Sequence, residues 1–366
     1  MNSLENFHEM MNGGRPGWLP FSLPTTRPVE CTILEKTGKP SIEAFDTDFR
    51  GVDPSYHGVD PAAWRSALEA AGFHFPENSV VGCFGMSHVL PPVETLGDAV
   101  HLTEMLHPLA GIEDVGQLGK LPWPDTSDPA HYENFRQKCG EIHAAGKVAS
   151  GGQECTVFEH AWYLRGMDNV FSDWAEENPV SEWLLDYFTG RSINVCRAFA
   201  LAGCDVIRLG DDVGMQNGLL ISRDMWRQHL KPRLKRVIDA IREASGDRKV
   251  WVQYHSDGDV TPLIEDLISI GVDILNPVQP ECMDLEKIAG EFQDRLAFSG
   301  MIGTQTTMPF GTPSDVREAV ARCRRLHEGG ARVIVSPTHV LEPDVPWENI
   351  DAFVDAVRVR LRPSLS

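Results

Sequence analysis

Short apolar runs alternate with longer amphipathic stretches along most of this 366-residue chain. Eight runs have the length and β-branched or aromatic content of strands: WLPFSL (18–23), VVGCFG (80–85), KVASGG (147–152), DVIRLG (205–210), KVWVQY (249–254), VDILNP (272–277), LAFSGM (296–301) and RVIVSP (332–337). The segments between them, such as VSEWLLDYFTGRSINVCRAFALAG, repeat apolar positions at helical spacing. In TPSDVREAVARCRRLHEGG, Thr312 or Ser314 can cap the start, and Gly329 with Gly330 ends the helix. Strand and helix in strict alternation, with no hairpin turns, argue for a parallel sheet covered by helices. Eight repeats favour closure over an open doubly wound sheet. The expected fold is α/β, a single-domain (β/α)8 TIM barrel over residues 1–366 with an irregular N-terminal extension.

That extension is rich in proline. RPGWLPFSLPTTRP and LPWPDTSDPAHYENF read as long loops or lids around the barrel mouth. No apolar run approaches the ~18 residues that a membrane span needs, and the N-terminus lacks a basic stretch followed by an apolar one. A cytoplasmic location and no membrane contact are therefore expected. Fifty-three acids against 33 bases leave a net charge of −20, which repels nucleic acid. The one basic stretch, RQHLKPRLKRVIDAIR, has the spacing of a solvated helix face. Eight cysteines without a CxxC or regular spacing read as reduced thiols.

Candidate chemistry collects where strands end. Asp211 and Asp212 follow DVIRLG, His255 and Asp257 follow or close KVWVQY, Glu281 and Cys282 follow VDILNPVQP, and His339 follows ARVIVSPT. In a parallel barrel these loops converge on one mouth. Alternation in KVWVQYHSDGD puts Trp251, Gln253, His255 and Asp257 on one side of the chain, so that side turns polar toward the mouth. His255, Asp257, Glu281, Cys282 and His339 are the candidate metal ligands, since imidazole, carboxylate and thiolate all suit first-row ions. Asp211, Asp212 and His255 are the candidate catalytic residues. Adjacent carboxylates raise one another's proton affinity, although neighbours on an extended chain point opposite ways. Gln153, Glu154, Trp162, Gln216, Gln279 and Gln305 are candidate substrate contacts. No GxGxxG, GxxxxGK[ST], GxSxG or HExxH occurs, so nothing supports nucleotide binding, a nucleophile elbow or a zincin helix.

GDDVGMQNGLLIS, YHSDGD, VDILNPVQPECMD, GTQTTMPFGTP and SPTHVLEPDVPWENIDAFVDAV together resemble the uroporphyrinogen decarboxylase superfamily, clearly over residues 145–358. The resemblance implies a (β/α)8 barrel and brings in that superfamily's zinc-dependent methyltransferases, which exchange methyl groups with corrinoid proteins or thiols. GGRPGWLPFSLPTTRPVE does not reproduce the arginine-rich signature that binds an acidic tetrapyrrole in the decarboxylases. In the methyltransferase branch the zinc motif is His-x-Cys after the fifth strand and a Cys after the last. Here His255 matches the histidine, Asp257 stands at the first cysteine, and Thr338 with His339 stands near the second.

The resemblance and the ligand types together imply a zinc-dependent demethylating methyltransferase. A small methoxylated or methylamine-type donor would lose its methyl group to a corrinoid on a separate protein, or to tetrahydrofolate. The chain has no DxHxxG corrinoid-binding motif of its own. A homodimer is the candidate assembly. Two other readings compete: a metal-free lyase acting on a small carboxylate through Asp211 or Asp212, and a non-catalytic binding barrel.

Overall fold

The computed structural model describes residues 1–54, 60–90, 104–153 and 155–361. Seven parallel strands form one sheet: β1 (Phe49–Val52), β2 (Val148–Gln153), β3 (Val206–Gly210), β4 (Trp251–His255), β5 (Ile274–Asn276), β6 (Ala297–Ser299) and β7 (Arg332–Ile334). An eighth, irregular stave closes the gap between β7 and β1. Val335 N–H donates to Pro20 O (2.8 Å), Ser22 N–H to Val335 O (3.1 Å), and Asp48 N–H to Phe21 O (3.2 Å). The buried Asp48 carboxylate also accepts from Phe21 N–H (2.8 Å) and from the Trp18 indole (3.1 Å). Pro20 lacks an amide hydrogen, so this stave cannot carry a full ladder. The result is a (β/α)8 barrel.

Three expectations about the N-terminal third are corrected. Residues 80–85 are not a barrel strand; Ser79–Val81 opens a small antiparallel sheet with Ser87–Val89 and Glu104–Leu106. The barrel strand that precedes β2 is instead β1 (Phe49–Val52), whose FRGV pattern is too short and polar to stand out. Of the two proline-rich pieces, the first supplies the eighth stave. The second packs outside the barrel, where Trp123 meets Trp183, Tyr187 and Phe188 of the helix Pro179–Ala202.

Period-two alternation sorts the strand residues. Val148, Val206, Trp251, Ile274, Ala297 and Ile334 point into the barrel and form one cluster with Phe7, Met10 and Met11 of α1 (Ser3–Met11). Those three α1 residues, at i, i+3 and i+4, form one apolar stripe, so α1 plugs the N-terminal end of the barrel. Ile207, Leu209, Val252, Tyr254, Leu275 and Phe298 point outward into the helix layer. One layer above the plug, the inward positions turn polar: Ser150, Arg208, Gln253, Asn276, Ser299 and Ser336. The lumen is thus apolar at its base and polar toward the mouth.

The helices follow their sequence signals. Asn178 caps Pro179–Ala202, which ends at Gly203 in the left-handed region (φ 110°). Thr312 caps Pro313–Glu328 in a capping box with Asp315, and Gly329 ends that helix. The basic stretch is not simply a solvated face. Arg227 and Lys231, joined by Arg223, converge on the buried Asp266, and Arg233 reaches Glu182 and Asp186. No helix among the described residues is long and apolar enough to cross a membrane.

Burial alone would raise the Asp266 carboxyl, but hydrogen bonds from Lys231, Arg223 and Arg227 hold it below the usual carboxylate range. A depressed native pKa contributes stability that is present above the unfolded value and lost as pH falls. Asp266→Asn is therefore expected to lose about 2 kcal/mol at neutral pH, the scale of hydrogen bonds to a charged group, and the gap to wild type should shrink below about pH 4. Urea denaturation at both pH values checks this.

Candidate active site

The mouth is built by matching levels across neighbouring strands. The register pairs Gly210 with His255 and His255 with Asn276, so the last residues of β3, β4 and β5 stand side by side. His255 Nδ1 lies 2.7 Å from Asn276 Oδ1. An amide oxygen accepts only, so Nδ1 carries the proton and the Nε2 lone pair is left facing the mouth. Nε2 stands 3.8 Å from Asp257 Oδ1 and 3.9 Å from Asp212 Oδ1. His339 enters from the loop after β7, its ring centre 6.2 Å from that of His255.

Two loops hold this arrangement. Asp257 N–H donates to Asp212 Oδ1 (2.8 Å), Val213 N–H to Ser256 Oγ (3.0 Å), and Gly258 N–H to Gln279 Oε1 (3.1 Å). Gly214 and Gly258 let the loops touch: a Cβ on Gly258, at φ 81°, would lie 2.6 Å from Gly214 C, and one on Gly214 would lie 2.5 Å from Asp257 O.

His255, Asp257 and His339 each offer a ligand atom, and the three atoms lie within 4.8 Å of one another. Bonds of about 2.0–2.2 Å to zinc set tetrahedral ligand spacings slightly above 3 Å, so closing on an ion requires only small side-chain movement. Two imidazoles and one carboxylate, with an open fourth position, is also a ligand count that catalytic zinc sites use. The residues fit a zinc-type ion. Burial alone would lower the His255 pKa, but the charges of Asp257 and Asp212 and the Asn276 hydrogen bond outweigh it and raise the value.

The other expected ligands do not join the cluster. Glu281 Oε1 accepts from Gln305 N–H (3.1 Å) and Thr306 Oγ1 (3.2 Å), which makes Glu281 an anchor for the loop after β6. Burial pushes the Cys282 thiol up to about 11, and its Sγ rests 3.8 Å from Gln279 O; a thiol held protonated is a poor ligand.

The aspartate pair divides. Asp211 is fully buried, and its carboxyl accepts from Val157 N–H (3.1 Å) and Glu159 N–H (3.0 Å) at the start of the helix Phe158–Arg165. That is a capping position, not a place in the mouth. Burial and the nearby Glu159 push Asp211 well above the usual carboxylate range. Asp212, with 43% of its side chain exposed, is the member that faces the cluster.

Among the expected substrate contacts, Gln153 points outward, its Oε1 accepting from Ser192 Oγ (3.2 Å) on the neighbouring helix. Gln279 is buried and braces Gly258. Trp162 packs edge-on to Tyr163 and beside His107. Gln216, at the tip of the Gly214–Leu219 hairpin, donates to Glu281 O (3.2 Å), and Gln305 is exposed above it. Glu154 lies outside the described residues.

Sequence reasoning missed Asn276 and Glu159. Asn276 was visible as a polar residue on the inward side of an apolar strand. Glu159 had no such signal. Its carboxyl accepts from the Tyr163 hydroxyl (2.7 Å) and from Asp212 N–H (3.3 Å). Burial, then the charge of Asp212, raises its pKa to about 7.

The family model for uroporphyrinogen decarboxylase matches residues 87–360. The chain belongs to the uroporphyrinogen decarboxylase family. A solved methyltransferase from Methanosarcina mazei is 20% identical, with 97% of this chain and 98% of that one covered at a TM-score of 0.59, a likeness of fold. A B12-independent methionine synthase from a Shewanella species aligns over 61% of this chain and 64% of its own, at 12% identity and a TM-score of 0.41. No curated protein matches.

Two outcomes separate the family member's mouth from its scaffold. Asp211→Ala should lose about 1–2 kcal/mol of stability through the lost helix cap. Asp212→Asn should unfold like wild type but bind zinc about 10-fold more weakly, as loss of an outer partner does; calorimetry and thermal melts measure both. For Glu159 the native pKa is raised, so the folded state binds a proton that the unfolded state has released. Wild-type stability should fall relative to Glu159→Gln between about pH 4.5 and 7, by up to about 3 kcal/mol, and level off above 7. Urea titrations across that range check the sign.

Proposed function

We propose that this chain is a metal-dependent methyltransferase that demethylates a small methoxylated or methylamine-type donor and passes the methyl group to a corrinoid on a partner protein or to tetrahydrofolate. The observation that carries this reading is the convergence of His255, Asp257 and His339 at the carboxyl end of the barrel. Membership in the uroporphyrinogen decarboxylase family supports it, as does the shared fold of the Methanosarcina mazei methyltransferase.

His255 Nε2, an Asp257 carboxylate oxygen and one His339 ring nitrogen would hold the ion. When bound there, zinc supplies Lewis acidity toward the oxygen or nitrogen of the donor. The remaining work belongs to side chains of this chain. Asn276 fixes the His255 tautomer, and Asp212 holds the Asp257 backbone, so two of the three ligands are pre-oriented. Glu159, behind Asp212, keeps a proton up to near neutral pH and so limits the negative charge around the ligands. Nitrogen and oxygen ligands leave an ion more electrophilic than thiolates do. That favours activating a leaving group over presenting a thiolate nucleophile.

Purified protein should bind one zinc per chain by mass spectrometry and methylate added cob(I)alamin from at least one methoxylated or methylamine donor. His255→Ala and His339→Ala should each weaken zinc binding by about 100-fold or more and abolish the transfer. Wild type that binds no zinc, with transfer unaffected by chelator and by His255→Ala, would overturn the reading. Carbon dioxide release from a small carboxylate by chelated enzyme would instead establish the lyase.

A further inference from the structure

A second group of reactive side chains lies at the opposite end of the barrel. Cys139, on the helix Phe135–Ala144, and Cys204, just before β3, place their sulfurs 3.5 Å apart. Both thiols are buried, at 1% and 0% exposure. Next in sequence to Cys204 stands Asp205, whose carboxylate takes His8 Nε2 on one oxygen (3.0 Å) and His143 Nε2 on the other (2.8 Å). His143 lies one helical turn after Cys139, and both histidines are about one-third exposed. Gly203 (φ 110°), the left-handed end of the helix Pro179–Ala202, lies beside Cys139 and His143: a Cβ there would make ordinary contact, 3.9 Å from Cys139 Cβ and 4.0 Å from His143 Cε1. The paired sulfurs are thus buried, with the one-third-exposed imidazole of His143 one helical turn from Cys139.

We propose that Cys139 and Cys204 are a redox modification site, a dithiol that a small peroxide or diazene oxidant converts to a disulfide in the folded protein. With hydrogen peroxide the Cys139 thiolate displaces hydroxide from the peroxide, giving a sulfenic acid and, with one proton, water. The Cys204 thiol then displaces the sulfenic oxygen as a second water, and the sulfur–sulfur bond forms. Two thiols lose two hydrogens and one peroxide becomes two waters. The 3.5 Å contact lets either thiol donate to the other; with the Cys204 S–H as donor, the bond favours the Cys139 thiolate as the attacking sulfur. The sulfurs need close only from 3.5 Å to a bond of about 2.05 Å. The product would tie the helix Phe135–Ala144 to the start of β3, beside the carboxylate that holds α1 through His8.

Native protein is treated with hydrogen peroxide or diamide, the remaining thiols are alkylated, and the digest is mapped by mass spectrometry. The expected result is a linked pair of peptides carrying Cys139 and Cys204, two hydrogens lighter than their sum, lost on treatment with dithiothreitol. Cys139→Ser and Cys204→Ser should each remove it. Oxidation of the exposed Cys31 without this linkage overturns the proposal, and so does a linkage that forms only in urea. The mapping needs no folded variant, since wild type alone decides it.

Discussion

The parallel register that levels Gly210, His255 and Asn276 is the constraint on which the mouth depends. A shift of one residue would turn His255 into the helix layer and Tyr254 into the lumen. The apolar base of the barrel prevents such a slip. Trp251, four residues before His255 on the same strand, is locked among Val206, Ile274 and the α1 plug, and moving it outward would expose a large aromatic surface. The position of an imidazole at the mouth is thus fixed by hydrophobic burial more than 10 Å below it, at about 3.3 Å per residue. Stability and chemistry occupy opposite ends of one strand.

Above that base, negative charge gathers. Asp212, Asp257 and Glu159 surround His255, and like charges this close oppose one another. Two responses are visible in the side chains: His255 has a raised proton affinity, and Glu159 stays neutral until about pH 7. Both reduce the net charge of the mouth, as a bound divalent cation would. The charge balance involves His255 and Asp257, two of the three residues whose ligand atoms converge.

Much of the fold was legible because burial imposes period. Strands β2 to β7 announce themselves as apolar runs, and the inward side of KVWVQYHSDGD was readable from alternation alone. The failures came where closure relies on something other than apolar pattern. Pro20 to Ser22 complete the barrel through three backbone bonds and the Asp48 carboxylate, and β1 has only Val52 fully buried. The apolar run at 80–85 drew attention because it packs locally, not because it enters the barrel. At the mouth, residue type found His255, Asp257 and His339. It did not separate Asp211 from Asp212, since the Val157 amide that Asp211 caps lies 54 positions earlier in the chain. Long-range capping leaves no trace in local spacing.

The same distinction explains why Glu281 and Cys282 were attractive and yet stand aside. Both leave β5 near the mouth, but the chain has already committed them: the Glu281 carboxylate lies against Gly303, whose missing side chain makes room for it, and Cys282 is held protonated by burial. What remains within reach of one ion is nitrogen and carboxylate oxygen. A thiolate acceptor would gain little from such an ion, because a hard, more positive centre lowers the nucleophilicity of any sulfur bound to it. A donor gains from the same property, since charge developing on its departing oxygen or nitrogen is stabilised as the bond to carbon breaks. Under the proposed function, carboxylate and imidazole at Asp257 and His339 in place of sulfur would therefore favour the half of methyl transfer in which the methyl group leaves its donor.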